Sequence, residues 1–395
     1  MNLKHNEKLE IGKVELLCFL SLLLGLSQGV FVYVMSTYFK QAAGTENIGV
    51  FYLVSYAVIL IAILNLHKVI KIFGKAGLFH ISLFLQILAI IALLLVSPGS
   101  IGIMAVVVYI IFLNLQWLFL DILLEAYSTD KMSGRIRGIH LTVMNVGFLL
   151  SPLISASILE KYGYYGIFFL MLILNTAVLF FGVINIGQVN HNAERKISVR
   201  DLIKKVWKRK DVFRIFYISF ILDFFFALMI IYMPLYLIDL GFNWEEIGII
   251  FTVMLIPFVL VQYPAGILAD KKLGEKEMLI GSILIMGFST LAVYFIASEE
   301  VFVWAVILLL TRIGAAFIQI LRDSYFYKRI DANDVDLINF FRTSYSFAYI
   351  FAAILSAIVL FFFSLKTIFI LIAIVVFSSL YPAFHLEDNE ASAKK

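Results

Sequence analysis

Tyr38–Gly49 reads YFKQAAGTENIG, and Tyr236–Gly248 reads YLIDLGFNWEEIG. Further along, Leu120–Tyr127 (LDILLEAY) returns as Ile318–Tyr325 (IQILRDSY). The aligned positions differ by 198 to 199, half of a 395-residue chain, and each piece lies in or beside a long apolar run. A chain that repeats itself across a bilayer points to two bundles with a binding site at their shared axis.

Composition supports the bilayer. The chain is 62% hydrophobic and 15% charged, with 38 Phe and 19 Tyr, and its mean hydropathy is +0.99. A water-soluble domain carries more polar surface than this. Runs of roughly 20 apolar residues suffice to cross a membrane. They occur at 14–39, 48–67, 77–97, 101–127, 138–159, 164–187, 213–238, 246–268, 277–298, 301–327, 338–363 and 366–385. The expected fold class is an all-α integral membrane protein with twelve transmembrane helices in two pseudo-symmetric six-helix bundles. In lipid, helices satisfy their own backbone hydrogen bonds. The expected domains are an N-terminal bundle over 1–190, a basic linker over 191–212 and a C-terminal bundle over 213–395.

Charge sets the expected orientation. With the N-terminus inside, 24 of the 31 Lys and Arg fall in the tails and inner loops, and only Lys40, Lys161 and Lys366 fall outside. Both termini are expected in the cytoplasm, in a multi-pass protein of the plasma (cell inner) membrane. The net charge of +4 reflects this bias rather than nucleic-acid binding. The first span is too long for a cleaved signal peptide and is read as an anchor. The polar stretch 188–212 spaces Ile197, Val199, Leu202, Ile203, Val206 and Trp207 among cations, as either an amphipathic surface helix or a solvated linker. Cys18, the one cysteine, cannot form an intrachain disulfide. No Walker A, HExxH or CxxC pattern occurs, and the six histidines lack metal-ligand spacing. The reading is therefore not an enzyme, with no cofactor and no metal.

Polar residues within the spans carry the functional signal, because an ionisable group there costs roughly 2.5–3.5 kcal/mol on insertion scales. Asn114, Asp121 and Glu125 lie at i, i+7 and i+11 on the fourth span, and Arg312, Gln319 and Asp323 repeat that spacing on the tenth. Each set lies on one helix face. Gln28 on the first span and Asp223 on the seventh stand near mid-membrane. Gln28, Asn114, Asp121, Asp223, Arg312 and Gln319 are the candidate substrate and coupling residues. Arg312 and Asp223 either neutralise each other or act: Arg312 on an anionic or polar group, Asp223 or Asp121 on a proton. Glu125 and Asp323 lie nearer the cytoplasmic ends, where loop contacts are expected. Gln262, His140 and Arg342 are secondary candidates.

Twelve spans, a basic central loop and parallel repeats resemble the major facilitator superfamily. Gly266-Ile-Leu-Ala-Asp270-Lys-Lys-Leu-Gly274 resembles its cytoplasmic-loop signature G-x-x-x-D-x-x-G, with one extra residue before the second glycine. The resemblance implies a cytoplasmic gate built on Gly266, Asp270 and Gly274. The first-half counterpart places Lys71 about where the acid belongs. Asp130–Gly138, with Arg135 and Arg137, resembles the acidic-then-basic loop of the family, which adds Arg135 to the gate; Glu125 and Asp323 join it by their place near the cytoplasmic ends. In that family spans one, four, seven and ten line the cavity, and the candidates fall on those four. Gly147-Phe-Leu-Leu-Ser-Pro152 resembles the signature of the family's exporters and gives a lean to export. Gly25-Leu-Ser-Gln-Gly29 is a G-x-x-x-G packing contact.

The expected function is secondary active transport of a small solute by alternating access, with protons as one coupling option. The expected partners are a small-molecule or ion substrate and the lipid bilayer, with no nucleic acid, and a monomer is expected. The competing class is a polytopic protein that binds without translocating, such as a sensor or a lipid scramblase.

Overall fold

The structure is a computed structural model that describes residues 11–127, 133–187, 205–261, 264, 275–330, 337, 340–341 and 343–387. Among the described residues the elements are all helical. In chain order they are α1 (Ile11–Val32), α2 (Met35–Ala43), α3 (Gly49–Leu64), α4 (Leu66–Phe73), α5 (Lys75–Leu95), α6 (Ser100–Tyr127) and α7 (Ser133–Asn185). They continue with α8 (Lys210–Asp239), α9 (Trp244–Leu260), α10 (Glu275–Phe295), α11 (Val301–Lys328), α12 (Ser344–Phe362), α13 (Thr367–Ser378) and α14 (Leu380–Phe384). Nine helices among the described residues are long and apolar enough to cross a membrane. One of them, α7, covers two expected spans and breaks at Gly163 (φ 61°, ψ −159°). With the shorter α3 and α9, every one of the twelve apolar runs contains helix. Leu95, Phe302 and Phe361 are 76–80% exposed, which makes sense only against lipid tails.

The repeated stretch explains its own turns. Gly44 (φ 67°) and Gly241 (φ 95°) both take the left-handed backbone that a side chain resists. In each copy this turn ends one helix and leads into the next. The second copy adds a capping box. Asn243 Oδ1 accepts from the Glu246 amide at 3.0 Å, and Glu246 Oε2 accepts from the Asn243 amide at 2.9 Å.

Packing divides the chain into two units: Met1–Gly44 with Ile61–Glu194, and Thr45–Leu60 with Arg195–Lys395. The sequence halves and the packing units therefore differ by Thr45–Leu60, most of α3. Two observations explain this. The Tyr56 ring stacks on Tyr349 with centroids 4.0 Å apart. Gly49 comes so close to α12 that a Cβ there would stand 3.1 Å from the Ala353 carbonyl oxygen.

In the first unit, α1 lies along the start of α7. A Cβ on Gly25 would stand 2.7 Å from the Met144 carbonyl oxygen, and one on Gly147 would stand 2.8 Å from the Leu22 carbonyl oxygen. Ser151 Oγ occupies the space where a Gly29 side chain would go. The G-x-x-x-G reading thus holds as packing: small residues let the two backbones touch. At the other end of α1, Phe31, Tyr38, Tyr109 and Phe168 pack edge to face.

In the second unit, α8 and α11 run antiparallel. Arg329 meets Asp211 at 3.4 Å near one end, Arg312 lies over Phe225 at 5.1 Å, and Trp304 packs on Tyr236 at 5.7 Å near the other. This register places the polar residues described next.

Candidate functional site

Each unit holds a buried polar cluster among its helices. In the second unit it centres on Asp223 of α8, which is 4% exposed. Its Oδ1 accepts from Arg322 Nη1 at 3.0 Å, and its Oδ2 accepts from Ser344 Oγ at 2.6 Å. Arg322 Nη1 also donates to Ser219 Oγ at 2.7 Å. A hydroxyl has one proton. Ser344 gives its proton to Asp223, so Ser219, 3.2 Å away, donates to Ser344. The carboxylate thus receives a guanidinium and a hydroxyl relay, which is what a buried charge requires.

Sequence reasoning offered Arg312 as the cation facing Asp223; the structure corrects this to Arg322, ten residues further along α11. Helical side chains lean toward the N-terminus of their own helix. Asp223 therefore leans toward the start of α8 and Arg322 leans inward from the end of α11. Because the helices are antiparallel, the two side chains converge. Arg312 is itself 1% exposed, and its guanidinium lies over the Phe225 and Phe226 rings at 5.1 and 5.4 Å. A cation over ring faces gains about 0.5–2 kcal/mol.

The first unit has its own cluster. Ser21 of α1 stands 2.7 Å from Nδ1 of His140, which is 1% exposed. Asp121 Oδ1 lies 3.7 Å from His140 Nε2. The Trp117 ring meets the imidazole edge-on at 6.3 Å, and its Nε1 donates to Gln28 Oε1. Ser21 and Ser219 are related by the same offset of 198 that relates the two halves. In each unit this repeated serine contacts a basic group that is paired with an aspartate.

These paired clusters, on helices too apolar for water, are the setting for the comparisons. The sequence pattern of the Major Facilitator Superfamily matches residues 17–246 and 239–395. The chain belongs to that superfamily. A crystal structure of the nucleoside transporter NupG shares the fold, with a TM-score of 0.73 and 15% identity, covering 94% of this chain and 99% of that one. No curated protein matches the chain. As a major facilitator protein it is a multi-pass membrane protein and a secondary transporter, not an enzyme.

Within this superfamily member the remaining sequence-derived residues fall as follows. Asn114 donates to the Ile110 carbonyl of its own helix at 2.8 Å and stands one turn from Trp117, which joins it to the level of Gln28. The Asp121 side chain is 37% exposed. Gln319 is half-buried on α11. Asp323 Oδ1 lies 3.6 Å from Arg322 Nε. Of the gate residues, Gly266, Asp270 and Gly274 lie outside the described residues. Glu125 and Arg135 lie on α6 and α7, but their side chains are outside those described. Gln262 and Arg342, secondary candidates in the sequence, are likewise outside them.

Sequence reasoning missed Arg322, Ser219, Ser344 and Ser21. The signal available was the repeated serine, which a search for charged residues passes over. It also missed a charge network at the end of the second unit. There Glu275, 2% exposed, pairs with Lys328 and accepts from Ser324 at 3.1 Å. Arg329 bonds Glu387 at 3.0 Å.

Proposed function

We propose that this chain moves a small polar solute across the cell membrane by alternating access, exchanging it against protons. The observation that carries this reading is the pair of buried polar clusters, one in each unit, that share a repeat-matched serine, Ser21 and Ser219. Buried charge in a membrane helix is costly and marks a functional site. Arg312, Gln28, Asn114 and Gln319 are the proposed solute contacts, because each offers hydrogen-bonding groups on a cavity-lining span of the family. Nucleosides, sugars and other ring-bearing polar solutes suit the mixture of aromatic faces and amides; the nucleoside transporter with the shared fold places nucleosides first on the panel. Gly147 and Pro152 support outward movement. The Lys and Arg bias supports both termini in the cytoplasm, and Gly266, Asp270 and Gly274 are the proposed gate on that side.

Tracer counterflow tests the reading. Proteoliposomes loaded with an unlabelled solute are given the labelled form, across nucleosides, sugars, amino acids and organic acids. At least one class should accumulate transiently. Vesicles in which no solute exchanges while labelled phospholipid crosses between leaflets would support the scramblase alternative instead.

A further inference from the structure

The short helix α4 has two sides, and the fold uses only one of them. Leu66, Val69 and Ile70, at i, i+3 and i+4, pack against the apolar cluster of the first unit that holds Leu17, Phe79 and Leu83. Lys68, Lys71, Ile72 and Phe73 are exposed, Ile72 at 73% and Phe73 at 53%. Gly74 (φ 73°) turns the chain directly into α5, which Lys75 opens. α5 is long and apolar enough to cross a membrane, and α3, which ends at Leu64, is a shorter apolar helix. The helix that joins them therefore lies where bilayer meets water. We propose that the outer side of α4, together with Lys75, binds an anionic phospholipid. Lys71 and Lys75 take its phosphate, and Ile72 and Phe73 lie against its acyl chains.

Charge selects this occupant. From Asn47 to Leu120 the chain contains no Asp or Glu, yet it places Lys68, Lys71 and Lys75 within one short connection. Lys68 donates to Asn65 Oδ1 at 3.0 Å. Lys71 and Lys75 have no hydrogen-bond or ion-pair partner among the described residues. Their field is cancelled neither by their own segment nor by a neighbour, so it attracts an anionic leaflet over about a Debye length. A zwitterionic lipid answers this poorly, because its own cation offsets its phosphate. The apolar pair supplies the other half of the recognition: large exposed side chains beside cations gain by entering the acyl boundary. Lys71 is also offset by 199 from Asp270, the repeat spacing. A lysine cannot accept a hydrogen bond as that aspartate can, so the two loops cannot share one task. The reversed charge suits a phosphate.

Two measurements on the full chain, both without solute, test the site. In the first, the detergent-solubilised chain is titrated with phosphatidylglycerol, phosphatidylcholine or glycerol phosphate, and native mass spectrometry counts what it retains. Phosphatidylglycerol should be retained in preference. The Lys71→Gln, Lys75→Gln variant should lose one phosphatidylglycerol and keep its phosphatidylcholine count. In the second, an environment-sensitive fluorophore is attached at Ile72→Cys; Cys18, the chain's own cysteine, is buried. In phosphatidylcholine nanodiscs containing phosphatidylglycerol its emission should shift to the blue, and the neutral quencher acrylamide should reach it less than in phosphatidylcholine alone. Adding the two lysine substitutions should remove that difference. Equal phosphatidylglycerol counts in native and variant chains, equal retention of the two lipids, or equal quenching in the two nanodiscs would overturn the proposal. Retention of glycerol phosphate as firmly as of the lipid would make this a free-phosphate site and overturn it too. Shielding in phosphatidylcholine alone, with a dimer on size exclusion, would give the face to a second copy of the chain instead.

Discussion

Arg322→Gln is expected to destabilise the folded protein by about 3–5 kcal/mol, because it leaves Asp223 buried with its cation removed. The carboxylate keeps only the Ser344 hydroxyl at 2.6 Å, and the Ser219 hydroxyl loses the guanidinium that donated to it. Asp223→Asn alone should also destabilise, since Arg322 would then be the buried charge. The double variant should recover most of the loss, because two neutral amides can share the same hydrogen bonds. Thermal unfolding of the detergent-solubilised variants gives the comparison. Equal losses in the single and double variants would show that the pair is not what holds these helices.

Arg312→Gln is expected to behave in the opposite way. Its guanidinium lies over Phe225 and Phe226, and losing those contacts costs about 0.5–2 kcal/mol, less than the cost expected at Arg322. The protein should still fold and run as a single peak on size exclusion. Uptake should fall at least about tenfold, since a hydrogen bond from a charged donor to a solute contributes about 1.5–3 kcal/mol. Arg312→Lys keeps the charge but not the planar fork and should recover only part of the uptake. A folded Arg312→Gln variant with native uptake would remove this residue from the solute site. The contrast between Arg312 and Arg322 separates a binding charge from a structural one on the same helix.

Much of this was legible in the sequence, for identifiable reasons. The apolar runs appear as helices because bilayer thickness and backbone satisfaction leave little choice. Gly44 and Gly241 stand in the repeated stretch, one residue out of its register, and both take the positive φ that a turn needs. Gly25 and Gly29 announced a close helix contact, and Gly147 and Ser151 lie across it. The partner of Asp223 was not legible. Residue depth alone favoured Arg312, but side-chain lean and the antiparallel register of α8 and α11 bring Arg322 to the carboxylate. Serines escaped notice because each is unremarkable alone; Ser21 and Ser219 gain meaning only once their partners are seen. The placement of Thr45–Leu60 with the second unit depends on Tyr56 stacking against Tyr349, a tertiary match that no local pattern encodes.

Solute-driven proton flux tests the central claim most directly. Proteoliposomes carrying the purified chain and a pH-sensitive dye in the lumen receive a gradient of the solute identified by counterflow. The native chain should change the luminal pH as solute moves. Asp121→Asn should abolish that change while leaving counterflow of the same solute in place. Solute movement by the native chain with a flat pH trace would contradict proton-coupled transport.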